Sequence, residues 1–230
     1  MRISDYLSRI GLNALPSPNL EGLHVLQDHH MRHVPFENLN VLLGRPLDLT
    51  PSALFEKIVR RKRGGYCYEL NTLYAYLLSQ AGFAPVPMMA RVWLRDPPET
   101  PPRTHLVNRV KIGGDIWISD VGFGGRAARV PLKIEDGYEV DDGDGRIRIR
   151  ADAEFGSVSA AFKTALGQIN IRWKPSPLIR PMFYLAIIGP KIIRSLIFGS
   201  ALESASSRQR AAQVFTAGCS LAAARIQTRK

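Results

Sequence analysis

Apolar residues recur at intervals of three and four through the first third of the chain and then switch to alternation. That change of period predicts a helical block followed by a β block. Helices are expected over Ser4 to Ile10, Leu20 to His33 and Pro51 to Arg60, with Thr50 or Ser52 as a cap for the third and Pro35 closing the second. A fourth begins at Cys67, where Cys67, Leu70, Tyr74, Leu77 and Leu78 fall on one stripe and Gly82 marks the stop. From Pro85 the runs Val86 to Leu94, Thr104 to Ile112 and Ile116 to Val121 read as strands, the first two joined by the proline-rich Asp96 to Pro102. Shorter strands are expected at Val130 to Ile134 and Ile147 to Arg150, set apart by the turn sequence Asp141-Asp142-Gly143-Asp144-Gly145. Beyond about Ala151 neither period is clean, and no element is assigned.

The resulting organisation is α+β, with a helical segment over residues 1–84, a β segment over 85–150 and a divergent basic region over 151–230. Charge sharpens the last boundary. Residues 1–150 carry 20 basic and 17 acidic side chains, net +3, whereas 151–230 carry 11 and 3, net +8, and Glu203 is the last carboxylate side chain. The overall +11 therefore belongs mainly to the tail and does not mark residues 1–150 as a nucleic-acid or membrane binder. The abrupt loss of acids suggests an altered reading frame downstream of roughly codon 150. The most apolar stretch, Pro181 to Gly199, is interrupted by Pro190, Lys191 and Arg194 and does not read as a membrane span. Two cysteines cannot make a disulfide framework, and no export signal is evident, so a reducing cytoplasm is expected.

Candidate chemistry centres on Arg63-Gly64-Gly65-Tyr66-Cys67-Tyr68-Glu69-Leu70-Asn71. It delivers a cysteine to a helix start behind a Gly-Gly turn, where unpaired N–H groups, the helix dipole and nearby Arg63 favour a thiolate. An inert buried cysteine is the alternative reading. A nucleophile needs a base and the base an orienting acceptor, and His105 and Asp120 are the candidates. If Gly113-Gly114 makes a two-residue hairpin, Ile112 pairs with Asp115, Asp120 falls opposite Val107, and His105 is its diagonal neighbour on the same face. A four-residue loop would set the two directly opposite, and a three-residue loop would separate them. His24, His29, His30 and His33 share one helix, and the 29/33 spacing could present two imidazoles to a metal, but no third ligand is evident. Gly122-Phe123-Gly124-Gly125-Arg126-Ala127 imitates a dinucleotide fingerprint without the helix that must follow it.

Four ordered segments resemble the arylamine N-acetyltransferases over about residues 1–135. They are His33-Val34-Pro35-Phe36-Glu37-Asn38-Leu39 with Gly44-Arg45-Pro46-Leu47, the Cys67 segment, Arg103-Thr104-His105, and Asp120-Val121-Gly122-Phe123-Gly124. The resemblance implies a helical bundle, a β-barrel-like domain and an α/β lid around a papain-like cysteine-enzyme core. It also implies Cys67 as nucleophile, His105 as base and acid, and Asp120 as orienting carboxylate. Phe36 and Phe123 match acceptor-pocket positions, Gly124 lies in the loop associated with coenzyme A, and Glu37 and Arg63 match a structural ion pair. The implied reaction passes an acetyl group from acetyl-CoA through the cysteine to an arylamine or arylhydrazine, without a metal and without a specific nucleic-acid partner. Beyond about Gly145 the family's Asn…Ser-Thr-x-Pro-x-Ser-x-Phe-like segment is absent, so an atypical or incomplete lid is expected. Two further readings stay open: a triad-bearing hydrolytic relative, and a non-enzymatic binding protein using the basic tail.

Overall fold

The computed structural model describes residues 1–94, 99–152, 157–164 and 167–173, all within the first of two units of the chain, Met1–Ile187. The expected basic region from 174 onward, including Pro181 to Gly199, lies outside the described residues. Helices come first: α1 (Ile3–Arg9), α2 (Leu20–His33), α3 (Leu39–Leu42), α4 (Pro51–Leu54) and α5 (Cys67–Gln80). Asn19 caps α2 by accepting from Gly22 N at 2.9 Å, and Thr50 caps α4 ahead of Pro51 at the first turn. The helix expected over Pro51 to Arg60 widens after Leu54 into a π-helical stretch, Phe55–Arg60, closed by Arg61 N donating to Glu56 O at 2.9 Å. The widened turns bury Phe55, Ile58 and Val59 together.

Eight strands follow, β1 (Val86–Leu94), β2 (Arg103–Ile112), β3 (Asp115–Ser119), β4 (Leu132–Lys133), β5 (Glu139–Asp141), β6 (Arg146–Asp152), β7 (Ser157–Thr164) and β8 (Gly167–Trp173). They form one antiparallel sheet in the order β4-β3-β2-β1-β8-β7-β6-β5. The sheet runs past the boundary expected at 150, because β6 continues into β7 and β8, and β8 returns to pair with β1. The barrel-like expectation is corrected: among the described residues no pairing joins the edge strands β4 and β5, which are only two and three residues long. Curling is nevertheless real. Ile147 and Ile149 of β6 share a core cluster with Met88, Ala90, Val107 and Ile118 of β1 to β3 and Leu132 of β4.

The other face of β2 and β3 meets the helices. Val110, Trp117 and Val121 join Tyr6, Leu23, Leu26, Leu54, Ile58, Leu70, Leu73, Tyr74 and Leu77 in the larger cluster. Strand β2 is thus packed on both sides, and Leu106, Val107 and Asn108 are buried in succession. This sandwiching matters for chemistry, since it fixes the strand that carries His105 against the helix that carries Cys67. No helix among the described residues is long and apolar enough to cross a membrane.

Candidate active site

Cys67 opens α5, half-buried, and the chain reaches it along an extended path. The Gly-Gly turn expected there is not a turn. Gly65 makes a parallel bridge to Phe36, with Glu37 N donating to Gly65 O at 2.8 Å and Gly65 N donating to Pro35 O at 3.3 Å. Glycine is required by proximity, since a Cβ on Gly64 would lie 2.0 Å from the Pro35 carbonyl oxygen.

The helix start is braced by ion pairs. Glu69 accepts from Tyr66 N at 3.1 Å and from Lys57 Nζ at 2.7 and 2.8 Å, and Lys57 also lies 3.3 Å from Glu37. Arg63 donates to Glu37 at 2.6 Å and to Asn40 Oδ1 at 3.1 Å. Its guanidinium is engaged by Glu37, the carboxylate with which the resemblance pairs it. Lys57 and Glu69 were not singled out from sequence, because nothing in their spacing announces contacts across three segments.

His105 lies on β2, and the hairpin takes the two-residue form: Ile112 pairs with Asp115 and Asn108 with Ser119. Asp120 follows directly after β3, and its Oδ2 lies 2.6 Å from His105 Nε2. A bulge refines the placement. Ala90 pairs with His105 but Arg91 with Arg103, leaving Thr104 as the extra residue. The Thr104 carbonyl then lies 3.8 Å from Cys67 Sγ.

With Nε2 on Asp120, Nδ1 is the ring nitrogen left for a second partner, and the Cys67 side chain lies near enough to this imidazole to affect its titration. Burial alone would lower the pKa of His105. The Asp120 carboxylate outweighs it, Cys67 adds to the effect, and the imidazole is pushed up to about 10. Burial raises Asp120 and the His105 pair outweighs that, so its carboxyl stays below the usual range. A buried imidazole between a thiol and a carboxylate can hold a proton taken from sulfur and return it to a leaving group.

The carboxylate is itself gripped. Its Oδ1 accepts from Asn71 Nδ2 at 2.8 Å and Gly122 N at 2.8 Å. Asn71 went unassigned in the sequence, although its position four residues after Cys67 puts it on the same helix face. Behind it, Ser119 Oγ donates to Gln27 Oε1 at 2.7 Å and lies 3.1 Å from Tyr74 Oη, while Gln27 Nε2 donates to Ala128 O at 2.8 Å. That chain links α2 to the glycine-rich loop.

The loop brings the remaining candidates in. Phe123 meets the His105 ring edge-on, with centroids 5.2 Å apart. A Cβ on Gly124 would lie 2.7 Å from the Phe36 ring, so the loop and the 41% exposed Phe36 are in contact. Arg126 forms a forked pair with Asp142, which also accepts from Arg129 N at 3.0 Å.

Elsewhere, His29 and His33 stack with ring centroids 5.8 Å apart, each Nδ1 lying against a backbone carbonyl. No group of three potential metal ligands occurs among the described residues.

These features can be set beside known proteins. The N-acetyltransferase family profile matches residues 19–171. An arylamine N-acetyltransferase of Mycolicibacterium smegmatis is 45% identical over 142 residues, covering 60% of this chain and 52% of that protein. The arylamine N-acetyltransferase structure from Salmonella typhimurium superposes with a TM-score of 0.74 at 30% identity, covering 81% of this chain and 68% of that one. A Mycobacterium marinum arylamine N-acetyltransferase solved in complex with CoA superposes with a TM-score of 0.72 at 34% identity, covering 80% and 68%. The chain spans about half the length of the curated relatives it matches. With the profile covering most of the chain and the same α+β architecture in the solved relatives, this chain belongs to the arylamine N-acetyltransferase family.

Proposed function

We propose that this protein transfers an acetyl group from acetyl-CoA to an arylamine or arylhydrazine through an acetyl-cysteine on Cys67. The observation that carries the reading is the buried pair of His105 and Asp120, Nε2 to Oδ2 at 2.6 Å, with His105 on the strand beside the Cys67 helix and Cys67 Sγ 3.8 Å from the carbonyl of Thr104, the residue before His105. In the first step the Cys67 thiolate attacks the thioester carbonyl carbon, and N–H groups at the start of α5 steady the oxyanion. The carbon–sulfur bond to coenzyme A breaks, and His105 gives its proton to the departing thiolate. In the second step the amine nitrogen attacks the acetyl carbonyl, His105 takes the nitrogen's proton, and the bond to Cys67 breaks. Asp120 keeps a proton on Nε2, so that Nδ1 is the nitrogen that exchanges protons with sulfur and substrate.

The acceptor ring would sit among Phe36, Phe123 and Gly124 beside His105, and the same loop would approach coenzyme A. The Mycobacterium marinum relative in complex with CoA supports the donor. Glu37 and Arg63 brace the α5 start without touching substrate. In this reading residues 1–84 supply the nucleophile and 85–150 the base and carboxylate. The requirement for a reduced thiol fits the cytoplasm.

Intact-mass measurement after incubation with acetyl-CoA tests the first step. One added acetyl group is expected, and none in Cys67→Ser. Persistence of the adduct in that variant would overturn the assignment. Hydrolysis of p-nitrophenyl acetate with and without an arylamine then separates transfer from simple hydrolysis, because a transferase turns over faster when the acceptor is added.

A further inference from the structure

The geometry points to Asn71 as a positioning residue: we infer that its carboxamide fixes the rotation of the Asp120 carboxylate so that one oxygen faces His105, and thereby holds the imidazole in register with Cys67. The argument begins with satisfiability. Asn71 is fully buried, and its Nδ2 donates to Leu106 O at 2.7 Å and Asp120 Oδ1 at 2.8 Å. Its Oδ1 accepts from Val121 N at 3.1 Å, with Asn108 Nδ2 also within 3.4 Å. Both donor positions and both acceptor positions are in use, so a flipped amide would set oxygen against two acceptors and NH2 against two donors. The orientation is thus dictated by its surroundings.

Consequences pass to the carboxylate. Oδ1 of Asp120 takes the Asn71 and Gly122 N–H groups, which leaves Oδ2 for the 2.6 Å bond to His105. Gly122 reaches this oxygen because the loop lies on the helix itself: a Cβ there would be 2.6 Å from Asn71 Nδ2 and 2.8 Å from Cys67 Cα. One helix face therefore presents Cys67 to the imidazole and, one turn later, Asn71 to the carboxylate that orients it. The rise of a helical turn, about 5.4 Å, is the ruler between the two ends of the triad.

The inference rests on the triad reading above, and the test keeps the two apart. Titration of the His105 ring is followed by NMR in a Cys67→Ser background, where no thiol couples to it. The parent is expected to titrate well above an ordinary histidine. Adding Asn71→Ala should lower that midpoint by about one pH unit or more, because the carboxylate is free to turn away. Ser119→Ala removes hydrogen bonds to Gln27 and Tyr74 without touching Asp120, and should leave the midpoint in place. If the alanine variant fails to fold, Asn71→Ser, which keeps a small polar group in that space, reads the same midpoint. An ordinary parent midpoint would sink the triad reading and this inference with it. An elevated parent midpoint unmoved at position 71, or moved equally by Ser119→Ala, overturns the role of Asn71 alone.

Discussion

Asp120→Asn isolates the carboxylate's contribution with almost no change in volume, and the structure dictates how the new amide must sit. Its two terminal atoms face different company: one receives N–H groups from Asn71 and Gly122, the other faces His105 Nε2. Placing NH2 toward the two donors would bury three donor groups against one another, which costs about 1–3 kcal/mol for each group left unmade. The amide oxygen will therefore take the Oδ1 position and the NH2 will face Nε2. That forces Nε2 to accept a hydrogen bond and moves the ring proton to Nδ1, the nitrogen that exchanges protons with Cys67 in the proposed mechanism. A protonated neutral Nδ1 cannot take the thiol proton. The loss expected for an inverted tautomer is about 10⁴-fold in kcat, about 5.5 kcal/mol. Release of coenzyme A thiol in the presence of an arylamine measures it, alongside the rate of Cys67 alkylation by iodoacetamide near neutral pH, which should fall toward that of an ordinary cysteine. Circular dichroism confirms that the variant is folded. Retention of kcat within about tenfold of the parent, under about 1.4 kcal/mol, would refute the tautomer argument.

Three further outcomes follow from other contacts. Gly122→Ala places a methyl 2.8 Å from Cys67 Cα, and since backbone cannot step aside cheaply it should cost about 1–3 kcal/mol in urea unfolding and slow Cys67 alkylation. Lys57→Met strips the ammonium from Glu69 and Glu37, leaving nearly buried carboxylates short of a partner; a loss of about 3 kcal/mol is expected by denaturant titration, and unchanged stability would count against the brace. His30 is fully buried, neither ring nitrogen has a hydrogen-bond partner among the described residues, and burial lowers its pKa to about 3. It stays neutral in the fold while the unfolded chain takes up a proton below about 6.5, so stability should fall by about 1.4 kcal/mol per pH unit between those values. His30→Phe, seated between Tyr6 and Tyr74, should flatten that slope in unfolding measured from pH 6 to 4.

Helices and strands with a strong period are legible in the chain itself: α2 over Leu20–His33 and β1 over Val86–Leu94 match the expected bounds. The hairpin count that put His105 diagonal to Asp120 worked because Gly113-Gly114 restricts the turn and a period of two leaves few registers. Other features were hidden for physical reasons. The π-helical stretch depends on how Phe55, Ile58 and Val59 pack, not on any residue's own preference. The bulge at Thr104 is a relation between two strands, invisible in either one. Strands β7 and β8 carry mixed small, polar and apolar residues with weak alternation, and what defines them is pairing: β7 with its sequence neighbours β6 and β8, and β8 also with β1, far back in the chain. The Glu37–Arg63 pair, 26 residues apart in the chain, came from the resemblance and not from any local pattern.

The parallel bridge between Phe36 and Gly65 has a kinetic consequence. Backbone bonds tie Pro35 and Glu37 to Gly65, two residues before the nucleophile, and Arg63 ties to Glu37 from the other side. Phe36, partly exposed beside the glycine loop, therefore belongs to the same rigid body as the sulfur. In the proposed transfer, an acceptor that pushed this ring aside would also tilt the thiol away from His105. Bulk on the amine should then be felt in the chemical step, as a falling kcat, and not merely as weaker binding.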